Sequence, residues 1–297
     1  MPKTYLIGET QIDWVELAQY LQDTGQEDFM DELKVELPQA VQLSSFYAKL
    51  CYKSLVIGRN NNITRTRAIE QNFKGIIKSG HGSVLEHYNF NFITTGCSRV
   101  FTHELVRHRV GTAFSQTSGR YCTIDQDSEL VIDPILDPCK GQIETIWGVM
   151  KENIDYLYDQ LGLNGIDKCW NSVMLEQPPW EDLTAHEQVT VRQFGQERGF
   201  EFAQGHDPFK ASSWTMPFSL KKKITSACRR LAPNGQSNEI GWSCNLRSLR
   251  HMIEMRTSPH AEWEIRKVFM DVAEMLDPLL LHGGTQRPDG SWMGLRL

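Results

Sequence analysis

Several features that define common protein classes are missing from this 297-residue sequence. It contains no run of 18 apolar residues, which argues against a membrane-spanning helix. Its first residues lack a basic segment followed by an apolar core, so we expect no secretory signal. With 40% hydrophobic and 23% charged residues, the chain is too apolar and too weakly charged to be disordered along its length. A soluble globular protein is therefore expected.

Cysteine is sparse, and no two cysteines form a C-x-x-C motif among the seven present. An odd number of widely spaced cysteines is typical of reduced thiols, so we expect a cytoplasmic location. No resident metal is expected, because candidate ligands are not clustered in the sequence. The net charge of -6 argues against a nucleic-acid partner, although it leaves room for a local basic cleft that binds a small anion.

Apolar periodicity predicts an α+β protein that is helix-rich overall. The predicted helices are 14–21, 42–55, 64–78, 98–108 with Ser98 as the N-cap, 141–161, 219–231, 245–256 and 260–277. We further predict a strand at 88–95, a ligand-holding loop at 110–124 and a loose tail from Gly283 onward. One catalytic domain is expected over 1–297, with an N-terminal lead-in at 1–40 and a mid-chain insertion at about 130–220.

The chain lacks the common nucleotide and hydrolase motifs: G-x-G-x-x-G, the Walker loop, G-x-S-x-G and H-E-x-x-H. Basic and polar residues instead form four clusters. The first is Arg107-His108-Arg109, whose arginine forks match phosphate in shape and charge. In a helix, Arg107 and Arg109 would point to different sides. Taken alone, this tripeptide also fits a solvated basic helix end.

The second cluster, 115–121, adds hydroxyls, Gly119 and Arg120, which suit close approach of a phosphate. The third begins at His81 and ends at His87. Their spacing of six is poor for two metal ligands on one helical face, so a turn with hydrogen-bonded histidines is the better interpretation. Cys122 has no recognisable base partner in the sequence, and we expect a buried structural thiol there.

The fourth cluster pairs arginine with histidine at helical spacing. Arg247 and His251 are four residues apart, as are Arg256 and His260, so each pair is predicted to share a helical face. A stripe with two arginines and two histidines is more than packing requires. Arg229, next to Arg230, is a further candidate for an anion site.

Together these clusters resemble the flavin-dependent thymidylate synthase (ThyX) family. The resemblance is carried by Arg107-His108-Arg109 leading to Ser118-Gly119-Arg120-Tyr121, by His81-Gly-Ser-Val-Leu-Glu-His87, and by Asn245-x-Arg247 leading through His251 and Arg256 to His260-Ala-Glu-Trp-Glu-Ile. It covers about 80–122 and 226–266. It implies a ThyX-like fold in which helices surround a small, mostly antiparallel sheet.

The resemblance also implies roles for individual residues. The implied cofactor-binding residues are Ser83, Arg107, His108, Arg109, Asn245, Arg247, His251 and His260. The implied substrate-binding residues are Glu104, Arg107, Gln116, Thr117, Ser118, Gly119, Arg120, Arg229 and Arg256. Arg256 is the implied catalytic residue, because a cation beside the pyrimidine N3 favours its ionised form.

The implied reaction transfers a one-carbon unit from methylenetetrahydrofolate to C5 of dUMP and gives dTMP. FAD is the implied cofactor, with NADPH as the reductant that regenerates it. The redox step belongs to the flavin, so the protein mainly positions and polarises the reactants. The resemblance also implies a homotetramer whose active sites are shared between subunits, with small-molecule nucleotide and folate as partners.

Three departures from the family pattern keep alternatives open. Eight residues, 110–117, separate Arg109 from Ser118, one more than the family pattern has. Glu104 and Gln116 occupy positions where the family carries the amide and the carboxylate in the opposite order. The third departure is the long span of residues between Ser118 and Arg229. One alternative is a ThyX-like flavoenzyme that modifies a different pyrimidine nucleotide or leaves another C5 group, such as hydroxymethyl. Another is a non-catalytic flavin- or nucleotide-binding module.

Overall fold

The structure is a computed structural model that describes residues 1–33, 36–174 and 176–297. Residues 34 and 35 of the predicted lead-in and residue 175 of the predicted insertion lie outside the described residues. The chain divides into two compact units, the first formed by Met1–Gln116 with Asn238–Leu297 and the second by Thr117–Ser237. The prediction of one domain with an insertion stays a prediction.

Regular structure within the described residues is mainly helical. The helices are α1 Trp14–Asp23, α2 Gln39–Cys51, α3 Ile69–Ser79, α4 Arg99–Leu105, α5 Lys140–Gln160, α6 Ile166–Val173, α7 Gln188–Glu197, α8 Phe218–Cys228, α9 Leu246–Arg256 and α10 Trp263–Met275. The strands are β1 Lys3–Glu9, β2 Asn89–Ser98, β3 Thr112–Gln116, β4 Glu201–Phe202, β5 Trp214–Thr215, β6 Ser237–Asn245, β7 Thr285–Gln286 and β8 Trp292–Met293. In the described range, no helix is both long and apolar enough to cross a membrane.

The first unit contains a four-stranded sheet in the order β1-β2-β6-β3, with β1 antiparallel to β2 and β3 antiparallel to β6. Phe92 of β2 stacks on Trp242 of β6 with ring centroids 4.3 Å apart, and both are buried in the main core. The Trp242 indole donates to the Thr94 hydroxyl at 3.0 Å, so its polar edge is satisfied inside that core. These features confirm the helix-rich α+β prediction.

Local capping explains where α4 begins. The Ser98 hydroxyl accepts the Phe101 N–H at 3.1 Å, as predicted for an N-cap. The buried Glu264 carboxylate of α10 accepts the Ser98 N–H at 2.7 Å and also its hydroxyl. Burial raises the pKa of Glu264, while its bonds from Ser98 oppose that shift. The cap therefore ties the end of β2 to α10.

Several predicted boundaries are wrong. The lead-in holds β1, which pairs with β2, in addition to the predicted helix at its Trp14. The third helix begins at Ile69 rather than 64. Residues 112–116 of the predicted loop form β3, and β6, which the sequence did not indicate, is its partner. The helix predicted to reach His108 ends at Leu105.

The tail beyond Gly283 is packed rather than loose. It forms the β7–β8 pair, and Leu295 is fully buried in the main core. The Trp292 N–H donates to the Thr257 hydroxyl at 2.9 Å. Buried Arg250 donates to the carbonyl oxygens of Leu295, Leu280 and His282 at 3.2, 2.5 and 3.0 Å. The Arg250 side chain of α9 therefore holds the residues just before the tail and a residue near its end.

The second unit has hydrophobic clusters of its own. One is built around Trp170, Phe194 and Trp214, and another contains Trp147 and Tyr158 of α5. The predicted helices at 141–161 and 219–231 are confirmed as α5 and as α8 followed by a 3-10 turn. Cys122 is an exposed free thiol, because it lies in a turn at the surface, so the expectation of a buried one is wrong.

Candidate active site

Arg256, the last residue of α9, is held by two residues from the segment that follows β2. Its guanidinium forms an ion pair with the Glu104 carboxylate and donates to the Glu104 carbonyl oxygen at 3.1 Å. Its Nε donates to Nε2 of His108 at 2.8 Å. The Arg256 side chain is only 14% exposed. Three separate acceptors therefore fix the orientation of one largely buried cation.

His108 is held in its neutral form by its surroundings. Burial lowers the pKa of His108 to about 4, with the nearby Arg256 charge and His251 lowering it further and Glu104 opposing them. A neutral imidazole has one acceptor nitrogen, and the bond from Arg256 assigns that role to Nε2. The proton of His108 therefore sits on Nδ1 near neutral pH, and the cluster keeps a single cation in Arg256.

Beside His108 lies a cavity of about 410 Å³ whose lining is strongly basic. Its charged and titratable side chains among the described residues are four arginines, one glutamate and two histidines: Arg107, Arg109, Arg247, Arg296, Glu86, His108 and His251. The other described lining residues are Val110, Ser248, Met252 and Leu297. The rings of His108 and His251 lie 6.3 Å apart at their centroids. Burial lowers the pKa of His251, and the Arg296 charge lowers it further. Such a cavity can bind phosphate groups through several arginine forks.

The turn that carries the Arg-His-Arg motif is fixed to the start of α9. Gly111 has a φ of +63°, and a Cβ there would lie 2.1 Å from the amide nitrogen of Asn245. Asn245 caps α9 by accepting the Ser248 N–H at 2.8 Å, and its own N–H donates to the Gly111 carbonyl at 3.0 Å. The Ser248 hydroxyl donates to the Val110 carbonyl at 2.6 Å. Only glycine suits this position.

Arg247 is positioned by the short 3-10 helix that contains most of the third cluster. Its guanidinium forms an ion pair with Glu86 at 2.6 Å. A Cβ on Gly82 would lie 2.8 Å from the Arg247 Nε, so a larger residue there would force the arginine side chain to shift. His81 and His87 lie against Tyr52 and Tyr47 through ring contacts, and no metal cluster of His, Cys, Asp or Glu occurs in the described part of the chain.

The structure brings together most of the residues predicted from the first and fourth clusters. Arg107, His108, Arg109, Arg247 and His251 line one cavity, and Arg256 bonds His108 from outside that lining. The Arg-His-Arg motif lies in a turn beyond α4, so the helical argument for its two arginines is wrong.

Three other predicted residues of the first unit lie elsewhere. Ser83 is exposed in a short 3-10 helix, Gly82–His87. Buried Asn245 acts as the cap of α9. His260 is exposed in the turn after α9, which ends at Arg256, so the prediction that these two share a helical face is wrong.

Glu104 and Gln116, the exchanged pair, do not bond one another. Glu104 holds Arg256, whereas the Gln116 amide donates to the Asn238 side-chain oxygen at 3.3 Å. The exchange therefore places a full negative charge, rather than an amide, against Arg256. A carboxylate holds a guanidinium more strongly than an amide does.

The remaining predicted residues belong to the second unit. Ser118 heads a tight turn in which its carbonyl accepts the N–H groups of Tyr121 and Cys122 at 3.0 and 3.1 Å. Thr117 and Arg120 are exposed, and Gly119 is half-buried. Arg229 is exposed at the start of the 3-10 turn that follows α8.

Sequence reasoning missed one basic residue of the cavity, Arg296. No motif marks it, because it follows the β7–β8 pair in a tail that we expected to be loose. The available signal was the recurrence of large apolar residues near the end of the sequence, at Trp292, Leu295 and Leu297, which indicates a tail with a buried side.

A family model described as thymidylate synthase complementing protein matches residues 32–280. A flavin-dependent thymidylate synthase of Mycobacterium avium (strain 104) is 30% identical over 234 residues, covering 79% of this chain and 74% of the relative. One of Mycobacterium sp. (strain JLS) is 29% identical over 226 residues, covering 76% and 71%. A ThyX crystal structure from Helicobacter pylori with FAD and dUMP is 15% identical, with a TM-score of 0.43, and covers 94% of this chain and 95% of that one.

The matched range takes in the Arg256 cluster and every described residue of the cavity lining except Arg296 and Leu297 of the tail. The protein is therefore a transferase of the flavin-dependent thymidylate synthase class. The chain belongs to the thymidylate synthase complementing protein family.

Proposed function

We propose that this enzyme converts dUMP to dTMP, with FAD as cofactor and with methylenetetrahydrofolate and NADPH as co-substrates. The observation that carries the proposal is Arg256, a cation held by Glu104 and neutral His108 next to a cavity lined by four arginines. That arrangement separates two tasks. Arg256 is held outside the cavity lining by Glu104 and His108, whereas four other arginines line a space that can hold phosphates.

The residues of the cavity fit an anionic cofactor. FAD carries a pyrophosphate, and Arg107, Arg109 and Arg247 offer planar forks that match it. When bound, the flavin supplies the redox chemistry that no side chain of this cluster can supply. Ser83, Asn245, His251 and His260 are the further residues that we assign to cofactor binding by family resemblance.

Arg256 is proposed to act on the pyrimidine. A guanidinium beside N3 and O4 stabilises negative charge there and lowers the pKa of the ring, which makes C5 more nucleophilic. Glu104 and His108 orient it, and neutral His108 adds no competing positive charge. The other residues proposed to contact dUMP are Arg107, Gln116, Thr117, Ser118, Gly119, Arg120 and Arg229.

We also propose a cytoplasmic homotetramer with shared active sites, acting on small molecules rather than on nucleic acid or membrane. The proposal rests on family resemblance and on the scattered free thiols. Light scattering on purified protein should give a mass four times that of the 34.1 kDa chain. A monomer mass at working concentration would contradict the shared-site model.

One assay tests the cofactor, the carbon donor and the nucleotide together. The purified protein is incubated with FAD, NADPH, methylenetetrahydrofolate and dUMP, and the nucleotide product is weighed by mass spectrometry. The expected product is dTMP, and leaving out FAD or the folate should abolish it. Colourless protein that does not take up FAD, and that binds dUMP without consuming it, would instead favour a non-catalytic binding module.

A second candidate is favoured by the Glu104 carboxylate at the Arg256 guanidinium. A stronger partner for Arg256 changes what that arginine can offer to the ring, so a different pyrimidine nucleotide or a hydroxymethyl product is the alternative. The same assay, run with UMP and dCMP beside dUMP, separates these cases by product mass. If dUMP is the only nucleotide converted and dTMP is its only product, this second candidate is excluded.

A further inference from the structure

The tail after residue 280 contributes to the basic cavity although it lies outside the range that the family model matches. Arg296 belongs to this tail and lines the cavity together with Arg107, Arg109 and Arg247. Its guanidinium lies close enough to His251 to lower the pKa of that imidazole, second only to burial. A cation from outside the family core therefore faces the space where we place the cofactor.

The position of Arg296 is fixed by its own backbone N–H and by the residue on its N-terminal side. The N–H groups of Leu295 and Arg296 both donate to one carboxylate oxygen of Glu254, at 2.7 and 3.1 Å. Leu295 is buried in the main core, and Arg250 holds its carbonyl oxygen. The ordered residues on its N-terminal side reduce the conformational freedom that Arg296 would lose on binding an anion.

The side chain of Arg296 is oriented by the same glutamate. Its Nε lies 3.1 Å from the other carboxylate oxygen of Glu254, while the guanidinium remains about half exposed. Glu254 follows His251 on α9 at a spacing of three, so both lie on the cavity side of that helix. An arginine held through Nε keeps its two terminal nitrogens available for a phosphate.

We propose that Arg296 is a fourth phosphate-binding arginine of this cavity, supplied by the tail beyond the range that the family model matches, and that it binds the pyrophosphate of the FAD assigned above. This proposal rests on the proposed function for the identity of the ligand. Inorganic pyrophosphate shares the relevant chemistry and serves as a second probe. A purely structural role would confine Arg296 to fastening the tail through Glu254.

The test measures FAD affinity of the full chain by flavin fluorescence and pyrophosphate affinity by calorimetry. Arg296→Ala should weaken both by about tenfold, because a charge-assisted bond to phosphate is lost. The affinities of Arg296→Lys should lie between those of the wild-type protein and Arg296→Ala, since lysine keeps the charge but lacks the planar fork of the guanidinium. The matched control is Arg287→Ala, an exposed arginine on the same tail that does not line the cavity.

The outcomes separate this inference from the proposed function. Loss of affinity in Arg296→Ala but not in Arg287→Ala supports it, whether the wild-type protein binds FAD or only pyrophosphate. Wild-type protein that binds pyrophosphate but not FAD would reject the proposed function alone. Unchanged affinities in Arg296→Ala, equal losses in both variants, or wild-type protein that binds neither probe would overturn the inference. Thermal unfolding without ligand shows whether a loss reflects a loosened tail, and Arg296→Lys remains informative in that case.

Discussion

Arg256 is largely buried, and protein acceptors bind three of its five N–H donors. Its three acceptors come from Glu104 and His108, and none comes from its own helix. Such a cation costs little to keep in place, because its partners repay part of its desolvation. It also cannot move away when a substrate arrives, which is the property needed to stabilise charge that develops during a reaction.

Replacing Arg256 by alanine should remove turnover and leave flavin binding intact. We expect kcat to fall by at least about 100-fold, because one preorganised charge that stabilises the transition state is lost. The dTMP assay and flavin absorbance measure the two effects. Arg266→Ala is the control, since Arg266 is paired with Asp289 and does not line the cavity. Wild-type kcat in Arg256→Ala would contradict the assigned role.

At this scale the sequence predicted the charged residues but not their partners. Arg107, His108, Arg109, Arg247 and His251 could be named because few residue types bind phosphate or titrate near neutrality. The hydrogen bond between His108 and Arg256 could not be predicted from the sequence. The two residues are far apart in the chain and meet only when α9 packs beside the turn after α4.

At the scale of elements, the turn between α4 and β3 determines where the Arg-His-Arg motif lies. Ending α4 at Leu105 releases Arg107 and Arg109 from helical geometry and lets both face the cavity. Gly111 then allows the chain to pass against the capped start of α9 before β3 begins. One turn therefore connects the motif, the sheet and the helix that carries Arg256.

Gly111→Ala should destabilise the first unit and weaken FAD binding. The left-handed backbone and the contact with Asn245 together should cost about 2–4 kcal/mol of unfolding free energy. Gly80→Ala is the matched control, since Gly80 also has positive φ but nothing within 4 Å of its Cβ position. Gly80→Ala should lower the free energy of unfolding by only about 1 kcal/mol. Urea unfolding and FAD titration compare them, and equal effects would show that contact with Asn245 is unimportant.

Helices were easier to predict than strands in this chain for a physical reason. A helix such as α10 carries its buried stripe in local sequence, and its periodicity shows in Ile265, Val268, Phe269 and Val272. Strand β3 alternates only partly buried and exposed positions and is rich in residues that also suit loops. Its structure depends on pairing with β6, more than 100 residues away, which local pattern cannot reveal.

At the scale of the whole molecule, charge is unevenly distributed. The chain carries a net charge of -6, yet the described lining of the cavity has four arginine side chains against one glutamate, with two histidines whose pKa values are lowered. Composition alone predicted only that a local basic cleft was compatible with an acidic chain. The fold produces that cleft by bringing together four separate segments of the described chain, one of them the tail that carries Arg296.

Salt should therefore weaken binding of FAD far more than binding of riboflavin. Most of the protein repels an anion, so the attraction is local and partly exposed to solvent, and such attraction is screened as the ionic strength rises. Between about 0.05 M and about 0.5 M NaCl, we expect the Kd for FAD to rise about tenfold. Riboflavin has the same ring system without phosphates, so its Kd should change by less than about twofold. Flavin fluorescence titrations measure both, and an equal salt response would show that the arginines do not bind the phosphates.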